Sequence, residues 1–159
     1  MNGRMGRSWL AILLIVWAGS VVAVPAPAQI LALPGALRDD FHARVLDVEH
    51  GEAQRLQRLV DYLFAPELLG MQYQPDATYT VAEAYATRRA NCLSFTLLTI
   101  ALAREAGLDA YGQEIAETLA WRKVGQTISR SNHANAGVAL RRKRLAVGVA
   151  WDEVIATEP

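Results

Sequence analysis

The chain has 159 residues, of which 52% are hydrophobic and 20% charged, and its formal net charge is zero. That composition supports one domain with a core of its own and excludes a disordered chain. The balanced charge excludes nucleic acid or an anionic membrane surface as the main partner.

Residues 1–28 read as a secretory signal. Arg4 and Arg7 form the positive flank, Trp9 to Val24 an apolar run, and Ala26-Pro27-Ala28 an A-x-A cleavage site, with Val21-Val22-Ala23 as an earlier option. The apolar run is short for a membrane span. Contact with a membrane is expected only through this segment, if it is retained. No cysteine follows the run, which excludes a lipoprotein anchor. Cleavage near Ala28 removes Arg4 and Arg7, leaving 14 basic against 16 acidic side chains, a net of −2. The remainder is expected to be periplasmic or secreted.

A helical N-terminal region is expected over residues 29–79. Leu33-Pro34-Gly35 reads as a linker. From Leu37 to Phe64, apolar residues recur at spacings of three and four (Phe41, Val45, Val48, then Leu56, Leu59, Val60, Leu63), the pattern of an amphipathic helix. Gly51 divides that helix or kinks it. His42 and His50 are not at metal-ligand spacing and read as surface histidines. Ala65 to Tyr79, with Pro66, Gly70, Pro75 and Asp76, reads as a loop.

The core is expected over residues 80–159. Thr80-Val81-Ala82-Glu83 fits a capping box, opening a short helix from Val81 to Arg89. Asn91 is a candidate N-cap for the next helix, with Cys92 at its first position. Leu93, Phe95, Leu97, Leu98, Ile100, Ala101 and Leu102 make that helix apolar on most faces, which predicts a central, buried position. Gly107 stands where it should stop. Ala110 to Ile115 reads as a strand. Glu117 to Ser131 is polar and reads as irregular.

His133 to Leu140 and Leu145 to Asp152 are strand-like. If they close as an antiparallel hairpin over Arg141-Arg142-Lys143-Arg144, Leu140 faces Leu145 and His133 faces Asp152. In that register Ala134, Ala136, Val138, Leu140, Leu145, Val147, Val149 and Trp151 share one apolar face. His133, Asn135 and Asp152 share the other with small residues, which leave room for the Cys92 helix to approach.

Cys92 is the only cysteine. In an exported chain a lone cysteine is either a buried small hydrophobe or a reactive thiol. A helix start favours the thiolate, because unpaired N–H groups and the helix dipole stabilise negative charge. The candidate roles are Cys92 as nucleophile, His133 as its base and Asp152 as the group that orients the imidazole. The N–H of Cys92 is a candidate oxyanion donor, and the neighbouring Asn91 a candidate substrate contact.

Thr80-Val81-Ala82-Glu83-Ala84, Arg89-Ala90-Asn91-Cys92-Leu93-Ser94, Ala106-Gly107-Leu108-Asp109-Ala110, Asn132-His133-Ala134-Asn135 and Asp152 together resemble the transglutaminase-like superfamily, in particular its bacterial exported members. The resemblance covers roughly Thr80 to Asp152. It implies an α+β fold in which a buried helix begins at the nucleophilic cysteine and packs on an antiparallel sheet carrying histidine and aspartate. Matched by motif, Cys92 is the nucleophile, His133 the base and Asp152 the third member of the triad. Trp121 would match an aromatic lining the cleft and covering the oxyanion, or it is a packing tryptophan. Ala90 departs from the Gly that commonly precedes the Asn/Asp-Cys pair. A positive φ there would strain Ala.

Three readings follow. The first is an exported thiol enzyme acting on amide bonds of a protein or peptide, as peptidase, amidase or acyl transferase. The second is a catalytically silent domain on the same fold that binds another envelope protein. The third is a small helical protein with an inert cysteine, which requires that the hairpin be absent. No metal-ligand spacing, phosphate loop or dinucleotide fingerprint occurs, so no cofactor is expected.

Overall fold

The computed structural model describes residues 24–124, 127–140, 143–150 and 153–154. The expected signal segment lies almost wholly outside these residues, and so does Asp152. The architecture is α+β. Helices α1 (Pro27–Ile30), α2 (Gly35–Phe41), α3 (Glu52–Phe64) and α4 (Val81–Thr87) precede a central helix, α5 (Cys92–Glu105). A three-stranded antiparallel sheet follows, of β3 (Asp109–Val124), β4 (Thr127–Leu140) and β5 (Lys143–Val147), in the order β3-β4-β5. Two short pairs complete it. The bridge β1 (Gln72–Tyr73) runs parallel to β2 (Arg89–Ala90), and β6 (Val149–Ala150) runs antiparallel to β7 (Glu153–Val154).

The long amphipathic pattern is divided where Gly51 predicts. Alpha2 continues as a π-helical turn, His42–Leu46, and α3 starts anew with Gly51 as its extended N-cap. Pro66 disfavours the α region at the preceding residue, and Ala65, at φ −62° and ψ 126°, ends α3. Leu37, Phe41, Val45, Leu59 and Leu63 of the apolar stripe are fully buried and Leu56 nearly so, whereas Val60 is partly buried and Val48 is exposed. The buried residues belong to one hydrophobic cluster that extends through α5 to Val138 and Val147. The segments before and after residue 80 therefore share a single core.

His42 is tied to the far end of α5. Its Nε2 lies 2.7 Å from Glu105 Oε1, the oxygen that also forms an ion pair with Arg38 Nε at 3.2 Å. The side chain keeps 44% of its surface exposed, so it is a surface histidine that also clamps two helices. His50 is exposed.

Deeper in this helical layer, the Tyr62 hydroxyl donates to Asp40 Oδ2 at 2.8 Å, and Arg44 Nε donates to Oδ1 at 2.7 Å. Burial pushes the Asp40 carboxyl up, but the hydrogen bonds from Arg44 and Tyr62 outweigh it and hold the group below its ordinary value. Burial, with the Asp40 acceptor beside it, pushes the Tyr62 phenol up. A lowered carboxyl contributes stability above its unfolded value of about 3.9, and that contribution is lost as pH falls through the folded value. Tyr62→Phe is expected to destabilise by about 1–2 kcal/mol at neutral pH. The difference from wild type should narrow in denaturant titrations below about pH 4. A gap independent of pH would show that Tyr62 acts through packing alone.

The capping box is present. The Thr80 hydroxyl accepts from Glu83 N–H at 3.3 Å and Glu83 Oε2 accepts from Thr80 N–H at 2.8 Å. Alpha4 ends two residues earlier than the sequence suggests, at Thr87, because Arg88 takes a left-handed conformation with φ 57°. Ala90, buried in β2, is not among the positive-φ residues, so no backbone strain of that kind falls on it. Alpha5 ends at Gly107, φ 74°, where Leu108 N–H reaches the Ala103 carbonyl at 2.9 Å. That is the closing bond of a helix terminated by a left-handed residue.

The sheet differs from expectation in two ways. Most of Glu117 to Ser131 is strand rather than irregular, since Ala120–Val124 of β3 pair with Thr127–Ser131 of β4 in a ribbon, after a register shift between Ile115 and Ala120. Beta5 pairs only with residues 136–140 of β4. Beyond that the ribbon is two-stranded, held by backbone pairing that leaves no apolar alternation to read. The β4–β5 register is also shifted by two residues. Leu140 pairs with Lys143, Val138 with Leu145 and Ala136 with Val147. An even shift keeps every side chain on its expected face, so alternation cannot distinguish the two registers. The tighter closure leaves two residues rather than four between the outermost paired positions. In this register the position opposite His133 would be Ala150, not Asp152, but β5 stops at Val147 and Ala150 pairs with Glu153. The expected register of two strands closing over residues 141–144 is thus corrected for residues 136–147, while Asp152 lies outside the described residues. The sheet itself removes the reading of a small all-helical protein.

Candidate functional site

Alpha5 packs against β3, β4 and α4, and its first turn forms the candidate site. Asn91 caps it: its Oδ1 accepts from Ser94 N–H at 3.0 Å and its Nδ2 donates to Thr78 Oγ1 at 2.6 Å. Asn91 N–H is bound to the Ala77 carbonyl at 2.9 Å. Both ends of the amide, considered as a substrate contact at the sequence level, are thus engaged in holding the helix start. Ser94, fully buried, adds a second anchor. Its hydroxyl accepts from Tyr79 N–H at 2.6 Å and lies 3.0 and 3.2 Å from the carbonyls of Tyr79 and Ala77.

These contacts deliver Cys92 to the first helical position, half-buried, with a free thiol. Asn91 takes the N–H of Ser94 with its side chain and that of Phe95 with its carbonyl. Among the described residues, the N–H groups of Cys92 and Leu93 remain as the first-turn donors. Leu93 is 44% exposed, an apolar patch beside the thiol.

Cys92 lines a crevice of about 10 Å³ with Phe64, Phe95, Thr96, Thr99, Val147 and Gly148. That is room for about one water molecule. Phe64 stacks on Phe95, centroids 5.2 Å apart and planes within 7°, closing one wall. The other wall is where the chain leaves β5. Here the Asn135 amide lies directly over Gly148, so a Cβ at that position would collide with it.

Thr96 joins helix and sheet. Its hydroxyl lies 2.9 Å from the Cys92 carbonyl, one turn back, and 2.9 Å from the Ala134 carbonyl on β4. His133 is the next residue on β4, and its backbone pairs with Ile115 of β3. The side chain of His133 lies outside the described part of the structure, as does that of Trp121, whose backbone pairs with Arg130 on the ribbon. Asp152 lies outside it altogether. Ala136 and Val138 point into the core shared with α5. Gly137, under the ring of the exposed Tyr111, belongs to the opposite face. The sequence-level expectation that the small-residue face receives α5 is corrected here. The helix takes the apolar face, because that is where burial is favourable. Regular alternation gives position 133 to the other face, but the β3–β4 register shifts between Ile115 and Ala120, adjoining the His133 pair. Such an irregularity re-aims neighbouring side chains.

Among the described residues no group of three or more His, Cys, Asp or Glu could hold a metal ion, and no helix is long and apolar enough to cross a membrane. The places of Ser94, Thr96 and Phe64 around Cys92 were not expected from the sequence. Hydroxyl residues inside an otherwise apolar helix were a usable signal, since buried polar groups demand partners. Nothing local marks Phe64. No protein-family model, curated protein or solved structure matches the chain.

Proposed function

We propose that the chain is an exported thiol enzyme of the transglutaminase-like kind, acting on amide bonds of a protein or peptide. Cys92 is the nucleophile, His133 its base and Asp152 the residue that orients His133. One observation carries this reading: the lone thiol is half-buried at the first position of a central helix, and a hydroxyl bridge ties that turn to the strand next to His133. In the reaction, Cys92 gives its proton to His133 and its sulfur attacks the amide carbon. The oxyanion forms near the N–H donors of Cys92 and Leu93. The imidazolium returns the proton to the leaving amine, and a thioester remains. Water then completes hydrolysis, or a second amine completes acyl transfer.

The test is the pH dependence of Cys92 alkylation in the folded protein, with His133→Ala beside it. A thiolate persisting well below the free value of about 8.5, and lost in the variant, is the expected result. Alkylation that follows an ordinary thiol, or that waits for unfolding, would overturn the reading.

The alternation along β4 supports a second reading, a silent domain that binds another envelope protein through the same surface. In this reading no base serves Cys92. The result expected then is an ordinary thiol, with partner capture unaffected by Cys92→Ser.

A further inference from the structure

We infer that Thr96 is the positioning residue of the Cys92–His133 pair. The inference rests on the thiol-enzyme reading and names the contact that sets the pair's geometry. A threonine inside a helix commonly returns its hydroxyl to the carbonyl four residues back, and Thr96 does so to Cys92 at 2.9 Å. The same hydroxyl also lies 2.9 Å from the Ala134 carbonyl, 38 residues away in sequence. Beta5 ends opposite Ala136, so Ala134 lies beyond its last rung. The single hydroxyl proton is shared between the two carbonyls, so Thr96 bridges helix and strand as a three-centre donor. The side chain is 5% exposed, so water does not readily replace it.

The consequence is mechanical. The first turn of α5 carries Cys92, and the strand residue next to Ala134 is His133. One hydroxyl fixes the separation of those two backbones at the point where the β3–β4 register shifts. Nothing else on α5 reaches β4 by a side-chain hydrogen bond among the described residues. Without that bond the helix start keeps its Asn91 and Ser94 anchors on the loop side. It loses only its tie to the histidine strand. The thiol therefore stays in place while the strand backbone at His133 is released from it.

The experiment measures Cys92 alkylation against pH in four forms of the full chain: wild type, His133→Ala, Thr96→Ser and Thr96→Val. The expected wild-type profile has a depressed midpoint that His133→Ala abolishes. Thr96→Ser keeps the hydroxyl and should keep that profile. Thr96→Val keeps the shape but removes the donor. It should move the midpoint up by about one unit, toward the free-thiol value near 8.5, and slow alkylation at pH 7 roughly five- to tenfold. Combining Thr96→Val with His133→Ala should add little to His133→Ala alone, because Thr96 acts through His133. If the valine variant does not fold, Thr96→Ala, which leaves space instead of a misplaced methyl, gives the same comparison. A depressed, His133-dependent midpoint that survives in Thr96→Val or Thr96→Ala overturns the inference and leaves the enzyme reading standing. A wild-type midpoint indifferent to His133→Ala overturns both.

Discussion

Replacing Ser94 by Ala is expected to destabilise the protein by about 2–3 kcal/mol. The side chain is fully buried, and its hydroxyl serves the Tyr79 N–H at 2.6 Å with the carbonyls of Tyr79 and Ala77 within 3.2 Å. Alanine leaves the tight Tyr79 donor without its acceptor in a place closed to water. That is the costly half of the hydrogen-bond balance, since an unmade buried bond costs more than a made one contributes. Urea unfolding should show a lower midpoint with an unchanged slope, because the exposed surface on unfolding is the same. A loss below about 0.5 kcal/mol, the level of an ordinary surface change, would mean that the loop at 77–79 is not held by this hydroxyl. The change should also loosen the start of α5, so Cys92 alkylation is the second readout.

Leu102→Ala is expected to have the larger effect, about 3–5 kcal/mol. Leu102 has no exposed surface and sits in the helix that both the helical layer and the sheet pack against. Deleting three buried carbons loses their transfer free energy and leaves a cavity that helices on one side and strands on the other cannot both collapse into. Leu93→Ala is the control on the same helix. At 44% exposure it should change stability by no more than about 0.5 kcal/mol. Similar losses in the two variants would contradict the central placement of α5.

What the sequence determined by itself is local. The division of the first helical segment at Gly51, the Thr80–Glu83 capping box, the Asn91 cap that makes Cys92 the first helical residue, and the stop at Gly107 were all legible. Each depends on groups within about four residues of one another, so propensity and hydrogen-bonding capacity are enough to specify them. The burial of α5 was legible too, because an apolar helix has to be covered on all sides.

The tertiary structure decided the rest. Alternation specifies which face of β4 and β5 is buried but is blind to a shift of two residues, and the structure pairs Leu140 with Lys143 rather than with Leu145. Residues 120–124 and 127–131 are held by backbone pairing between the strands, which the amino-acid sequence does not display as a periodic pattern. The bonds that fix the candidate site join Ser94 to residues 15 and 17 positions away and Thr96 to one 38 away. The sequence displays those hydroxyls but not their partners, because the partners are chosen by how the helix docks on the loop and the sheet. The residue types at the start of α5 are thus a local property of the chain, while the placement of that turn against β4 is set by packing across the whole core.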